Sequence, residues 1–273
     1  MTLRTAILQG TKLFEDAGIP APSLTAEVLL CHALQCERPY LYAHPERELR
    51  EVEWLHYGRY LHERLKGKPT QYITHQQEFY GREFRVTPEV LIPRPETEHL
   101  IETVLKLGCE GRAVDVGCGS GAIAITLALE TSASVASTDV STPALAVAAA
   151  NARRLGAAVQ FIACDILSAI AGGCMDFVVS NPPYIASSER SGLQREVRDW
   201  EPGLALFAGP TGLEVYARLI PEAARVLRPG GWLVLELGHG ISLNRLLGAW
   251  WRGVKITNDL AGIPRVLACQ KAN

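Results

Sequence analysis

Residues 112–121 constrain this chain more than any other stretch. Arg112-Ala113-Val114-Asp115-Val116 is a short, mostly apolar run with strand character, and it leads into Gly117-Cys118-Gly119-Ser120-Gly121. Residues 122–129 then read Ala-Ile-Ala-Ile-Thr-Leu-Ala-Leu, apolar on every face as a buried helix is. Strand, glycine turn and helix, in that order, are the layout of a nucleotide-binding βα unit in an α/β fold. The glycines let the backbone turn sharply and approach a ligand with no Cβ in the way.

The spacing is G-x-G-x-G, without the G-x-G-x-x-G whose backbone holds a pyrophosphate. That suits a cofactor with no phosphate, and S-adenosylmethionine is one. A second candidate strand, 133–138, ends at Asp139, about twenty residues past the loop, where an acid accepts hydrogen bonds from ribose hydroxyls. An alanine-rich helix over 143–155 contains Asn151, and a third strand over 158–162 ends near Asp165. Asp165 is placed to meet an adenine amino group, and Ile166 to offer the ring an apolar contact. Either acid alone is more often a helix cap or a loop acid. As a series at successive strand ends they read as a cofactor cleft.

The apolar run 175–180 is a further strand, and Asn181-Pro182-Pro183-Tyr184 follows it. The tetrad therefore sits at the carboxyl end of a strand, where open α/β sheets place their ligands. Two prolines fix the backbone and remove two N–H donors, leaving carbonyls to accept. The Asn181 side chain adds an oxygen acceptor, and Tyr184 adds a flat apolar face with a polar tip. Such a set suits a planar –NH2 group, as on a carboxamide, adenine or cytosine. A proline-rich turn with a helix cap is the plainer reading of the four residues taken alone.

Residues 112–184 resemble a class I S-adenosylmethionine-dependent methyltransferase of the N-P-P-Y group. Phe79-Tyr80-Gly81, Leu91-Ile92-Pro93-Arg94-Pro95-Glu96-Thr97-Glu98, the glycine loop, Asn181-Pro182-Pro183-Tyr184-Ile185 and Glu201-Pro202 occur in the order seen in HemK-type (PrmC) enzymes. The similarity covers nearly the whole chain, and P-R-P-E-T-E is its most specific part. It implies a Rossmann-like, seven-stranded, mostly parallel sheet with a final antiparallel hairpin, plus a small N-terminal helical bundle. It also implies methyl transfer to the glutamine amide of the Gly-Gly-Gln motif in class 1 peptide chain release factors. Asn181 and Pro182 would accept the two substrate N–H groups, with Pro183, Tyr184 and Ile185 beside them. Gly117, Cys118, Gly119, Ser120, Gly121, Asp139, Asp165, Ile166 and Asn181 would hold the cofactor. One departure is visible: after Leu235-Glu236-Leu237-Gly238 the family usually carries a glutamine, and here the chain reads His239-Gly240-Ile241-Ser242. Three alternatives stand beside this reading: a ribosomal-protein glutamine methyltransferase, an adenine-N6 nucleic-acid methyltransferase, and a cofactor-binding module without turnover.

A net charge of −2 argues against a surface built to grip a polyanion, so no direct nucleic-acid partner is expected. The basic run 59–68 is interleaved with Glu63 and reads as a solvated helix face. No stretch is long and apolar enough for a membrane span, and no signal-peptide core is present, so a cytoplasmic monomer is the expectation. The seven cysteines form no C-x-x-C pair and the seven histidines no cluster, so no metal is expected. Residues 1–75 are helical by pattern, with helices before the break at 18–20, after a capping candidate Ser23, and over 52–66. The resemblance implies that 1–75 form a substrate-recognition domain, 76–92 a hairpin linker, and 93–273 the catalytic domain. Helices over 212–227 and 243–251 and strands over 232–237, 254–257 and 265–269 complete the chain.

Overall fold

The computed structural model describes residues 1–259 and 261–272. The chain divides into two compact units, Met1–His75 with Gln194–Trp200, and Gln76–Leu193 with the segment from Glu201 onward.

The first unit is a helical bundle of α1 (Leu3–Asp16), α2 (Pro22–Leu34), α3 (Arg38–Ala43), α4 (Glu51–Leu65) and α5 (Thr70–Thr74). Leu3, Phe14, Leu29, Leu30, Leu41 and Tyr57 are fully or almost fully buried in its core. Two short helices, α3 and α5, escape the apolar pattern because each has little more than one turn. Ser23 does not cap α2. The helix starts one residue earlier at Pro22, with Ala21 as N-cap, and Ser23 Oγ donates to Glu27 Oε1 at 3.2 Å. Proline at the first helical position needs no N–H partner, so the helix starts there. The basic run is not all solvated. Arg64 is buried and pairs with Glu196 at 2.5 Å, while Lys68 pairs with Glu63 at 2.6 Å. Glu196 lies 132 positions beyond Arg64, so local charge pattern had no access to that pair.

The second unit opens with an antiparallel hairpin, β1 (Gln76–Phe79) and β2 (Arg82–Arg85). Its turn residues Tyr80 and Gly81 both have positive φ, 51° and 68°, the geometry of a tight hairpin turn. A 3-10 turn over Pro95–Thr97 leads into α6 (Glu98–Lys106), then β3 (Arg112–Val116), α7 (Ala122–Glu130), β4 (Ser134–Asp139), α8 (Thr142–Leu155), β5 (Val159–Ala163), β6 (Met175–Ser180) and β7 (Ile185–Ala186). The α9 helix (Arg195–Trp200) belongs to the first unit. There follow α10 (Gly203–Leu206), β8 (Phe207–Gly209), α11 (Glu214–Val226), β9 (Leu227–Glu236), β10 (Trp251–Asn258) and β11 (Pro264–Lys271). The main sheet has the order β10-β11-β9-β6-β3-β4-β5. The five strands from β9 to β5 in that order are parallel, and β11 and β10 run antiparallel at the edge.

Alternate strand residues feed two cores. Val114, Val178, Leu233 and Leu235 pack under α11, and Ala113, Phe177, Val179 and Val234 pack under α6 and α7. The chain runs outward from β3 through β4 to β5, then returns to place β6 on the other side of β3. That reversal opens a crevice at the carboxyl ends of β3 and β6. No helix forms over 243–251. Leu243 is buried and accepts from the Leu246 and Leu247 N–H groups (2.9 and 3.1 Å), but this single turn goes no further, and Trp251 starts β10. β9 also starts five residues earlier than the apolar run suggests, taking Pro229-Gly230-Gly231 into the strand. A Cβ on Gly231 would meet the Asp176 carbonyl oxygen at 3.1 Å, so only glycine fits comfortably against β6 there.

Candidate active site

The glycine loop is held from below. Gly117 and Cys118 N–H groups both donate to the Thr138 carbonyl, at 2.8 and 3.0 Å, which docks the loop on the end of β4. Asp139 follows, and its carboxylate accepts from Gly119 N–H at 3.0 Å and from Ser141 N–H at 2.8 Å. One acid thus shapes the loop and the entry to α8, where Ser141 Oγ caps the Ala144 N–H at 3.2 Å. Gly117, Gly119 and Gly121 have φ of 80°, 51° and 83°, a region costly for other residues. Beneath the loop, Asp115 is wholly buried. Burial pushes its carboxyl up to about 7, against the hydrogen bond that Ser137 Oγ donates to Oδ2 at 3.0 Å.

A cavity of about 430 Å3 lies over this loop, at the low end for a small-molecule site. Gly117, Gly119, Asp139, Asp165, Ile166, Asn181, Pro182 and Pro183 all line it. Cys118, Ser120 and Gly121 do not, although they share the motif. Cys118 and Ser120 are buried, and the Ser120 carbonyl accepts from Asn151 Nδ2 at 2.9 Å. A Cβ on Gly121 would sit 2.8 Å from Ile125 Cδ1 and 3.1 Å from Ala148 Cβ, so that glycine lets α7 and α8 approach. Asp165 reaches the cavity wall with one oxygen already paired to Arg218, which also lines the wall. Ile166 is left-handed at φ 53°, a strained conformation for a β-branched residue. Its carbonyl accepts from Thr138 Oγ1 at 2.8 Å, which helps to hold it there.

Asn181 follows β6, and the last β6 residue, Ser180, donates through Oγ to the Val116 carbonyl at 2.6 Å. This bond locks the ends of the two central strands together. Asn181 Nδ2 donates to Thr97 Oγ1 at 3.2 Å, so Oδ1 is the end of the amide left for other partners. Thr97 is buried in the 3-10 turn, and the strand-like segment before the turn is clamped. The Glu201 carboxylate accepts from Ile92 N–H at 3.3 Å and pairs with the Arg94 guanidinium.

Two of the residues expected beside the substrate, Tyr184 and Ile185, do not line this cavity. Tyr184 packs over Gly238, where any Cβ would collide with its ring, and burial pushes its hydroxyl up to about 12. Ile185 pairs with Phe207 in the short β7–β8 sheet. Conversely, Val90, Leu91, Pro202, Leu204 and Arg218 line the cavity and are not among the residues expected to hold cofactor or substrate. The Glu201-Pro202 pair is in the sequence motif, but nothing local tells that its acid grips residues 109 positions away. Among the described residues no group of His, Cys, Asp and Glu is arranged to hold a metal ion, and no helix is long and apolar enough to cross a membrane.

Residues 5–74 match a family described as the PrmC N-terminal domain, and residues 95–196 match the methyltransferase small domain. The chain is similar to the release factor glutamine methyltransferase of Koribacter versatilis, with 46% identity over 278 residues, spanning 99% of both chains. The protein of that description from Nitratidesulfovibrio vulgaris is 43% identical, over 99% of this chain and 95% of its own. In fold the chain is similar to the Thermus thermophilus 16S rRNA N2 G1207 methyltransferase, solved in complex with AdoMet and guanosine. The TM-score is 0.56 at 20% identity, over 72% of this chain and 49% of that one. That likeness speaks for the Rossmann-like architecture only. Identity sustained end to end, through helical bundle and catalytic sheet alike, places this chain in the release factor glutamine methyltransferase family.

Proposed function

We propose that the protein transfers the methyl group of S-adenosylmethionine to the side-chain amide nitrogen of glutamine in the Gly-Gly-Gln motif of a class 1 release factor. The observation that carries this reading is the Asn181 amide. Its N–H is occupied by Thr97 and its oxygen end is free at the wall of a cavity built on Gly117, Gly119 and Asp139. The lining fits a phosphate-free cofactor. Gly119 N–H is already given to Asp139, and the Arg218 cation is given to Asp165. Asp139 retains lone pairs for ribose hydroxyls, and Ile166 and Leu204 offer apolar faces to a base. When bound, S-adenosylmethionine supplies an electrophilic methyl on a sulfonium, whose carbon–sulfur electron pair leaves with sulfur.

An amide nitrogen is a poor nucleophile, because its lone pair is shared with the carbonyl. Asn181 Oδ1 and the Pro182 carbonyl each accept one substrate N–H. These bonds strengthen as positive charge grows on the attacking nitrogen, so they favour the transition state over the ground state. They also fix the direction of the lone pair. The surplus proton leaves to water once the new carbon–nitrogen bond has formed. The helical first unit supplies a second contact on the folded factor, so an isolated loop peptide reacts more slowly than the whole protein.

Asn181→Ala is expected to lower kcat by about 10²–10³ and to change cofactor affinity much less. A near-normal rate at saturating substrate removes Asn181 from the reaction. Mass spectrometry of a mixed assay identifies the acceptor. Methylated adenine with an unmodified release factor would refute the proposal. Modification of a ribosomal-protein glutamine would keep the chemistry and change the partner.

A further inference from the structure

Two walls of the cavity come from distant parts of the chain. Gly117 and Gly119 of the glycine loop line one, and Glu89, Val90 and Leu91, just after β2, line the other. On the β4 side the loop is docked through the Gly117, Cys118 and Gly119 N–H groups. Its Ser120 carbonyl bonds α8 instead, where Asn151 Nδ2 donates to it at 2.9 Å.

Asn151 is wholly buried and does not line the cavity. Its amide makes two further bonds. Oδ1 accepts from Arg85 N–H at 2.8 Å, and Nδ2 donates to the Arg85 carbonyl at 2.9 Å. These are the two bonds that a residue of a neighbouring strand would make, so one side chain holds the backbone at the end of β2 at two points. The orientation of the amide follows from its partners. A backbone N–H only donates and a carbonyl only accepts, so the reversed amide would set Nδ2 against a donor and Oδ1 against two acceptors. From Arg85, only the fully buried Val86 and a turn closed by Val90 N–H on the Thr87 carbonyl, at 3.1 Å, lead to the second wall.

We propose that Asn151 is a positioning residue for the cofactor. By holding Ser120 and Arg85 in one amide, it fixes the spacing between the glycine loop and the wall over 89–91, the interval that S-adenosylmethionine must fill. The inference rests on the reading of this cavity as the S-adenosylmethionine site. A brace that only stabilised the fold would change how many molecules are folded and leave the affinity of each folded one as it was. A spacer changes the affinity itself, because binding must then supply the ordering of both walls.

The test titrates the full-length protein with S-adenosylmethionine by calorimetry. Asn151→Asp keeps an acceptor for Arg85 N–H and replaces the donating NH2 with an oxygen that satisfies neither carbonyl. Arg154→Ala is the control. Arg154 lies on the same helix and bonds the Glu83 carbonyl of the same hairpin, and among the described residues it has no bond to the glycine loop. The expected result is a Kd raised at least about fivefold for Asn151→Asp at a stoichiometry of about one, with Arg154→Ala within about twofold of wild type. An unchanged Kd at reduced stoichiometry, or an equal rise for Arg154→Ala, overturns the proposal. If the wild type itself does not bind S-adenosylmethionine, the reading of the cavity fails; if wild type and Asn151→Asp bind equally, only the positioning role fails. Where Asn151→Asp does not fold, hydrogen exchange of the wild type decides. Coupling is reciprocal, so saturating S-adenosylmethionine should slow exchange of the Arg85 amide at least about fivefold more than that of the Tyr80 amide. The Tyr80 amide is in the same hairpin, but the Glu98 carboxylate holds it, at 2.8 Å. Equal slowing at the two amides, or none at Arg85, overturns the proposal.

Discussion

Asp139 and Asp115 lie on neighbouring strands and behave in opposite ways. Asp139 lines the cavity and also accepts from two backbone N–H groups, so it is a local structural acid as well. Asp139→Ala is expected to weaken S-adenosylmethionine binding by at least roughly tenfold, from the loss of hydrogen bonds to an ionised acceptor. The same change leaves Gly119 and Ser141 N–H groups without their acceptor, so the ligand-free protein should lose about 1–3 kcal/mol as well. Calorimetric titration reads the first effect and a thermal melt the second; an unchanged dissociation constant would exclude Asp139 from the ribose site. Asp115 is raised by burial from the ordinary carboxylate range to about 7. Its folded form therefore holds a proton that the unfolded chain has lost, and its contribution to stability falls as pH rises from about 4 toward 7. Asp115→Asn has no charge to bury. Its stability relative to wild type should grow between pH 5 and pH 8, by on the order of 1 kcal/mol. Denaturant titrations of both proteins across that range check the sign; a difference that stays flat or shrinks contradicts it.

At the scale of elements, the strap over residues 91–97 shows how a site wall is held by something far away in sequence. Ile92 N–H and the Arg94 guanidinium both depend on Glu201, whose side chain is 1% exposed. Glu201→Ala removes both acceptors and frees the strap that carries Thr97. Stability should drop by about 1–3 kcal/mol, and kcat at least about tenfold. Hydrogen exchange at the Ile92 amide is the direct reading, and wild-type protection there would show that the clamp is not what holds the strap. Glu201→Gln, which keeps a carbonyl acceptor, should lie between. The element expected over 243–251 fails for a related reason. Leu243, Leu246 and Leu247 are spaced as on a helix, but they pack on the core from one turn, and Gly248 and the buried Trp251 carry the chain straight into β10. Apolar spacing reports which residues face a core; it does not report how many turns separate them from the next strand.

At the scale of the whole molecule, the first unit is completed by seven residues from the middle of the chain. Arg64, 6% exposed, meets Glu196 of that segment at 2.5 Å, and Lys68 lies 6.0 Å from the centre of the Trp200 ring. Glu196→Ala leaves a nearly buried guanidinium without its carboxylate. The first unit should lose about 1–3 kcal/mol, less than a fully buried pair because Glu196 is partly exposed. Exchange protection along α4 measures it. Replacing Arg64 with Met in the same background should recover part of the loss, because the unpaired charge is then gone. An α4 that exchanges at the wild-type rate in Glu196→Ala would mean that the pair contributes nothing. A deletion of residues 1–75 would also strip 194–200 of its partners, so that experiment perturbs more than a terminal domain.

Local pattern by itself determined the strand–loop–helix unit, the ladder of acids at strand ends and the N-P-P-Y corner, because each is written in contiguous residues with its own conformational requirement. Gly117 and Gly119 need positive φ, Asp139 needs to end β4, and Asn181 needs to follow β6. The helical bundle was legible too, wherever its helices ran for three turns or more. What only the tertiary structure decided is which members of each motif face the cavity and which brace it. Gly121 and Gly119 are alike in sequence, yet one spaces two helices and the other lines the site. Tyr184 packs on Gly238, while Thr97, 84 positions before Asn181, bonds its amide. Packing and hydrogen-bond satisfaction act through space. A partner that the chain brings back after eighty or a hundred residues leaves no local trace until the sheet has closed around it.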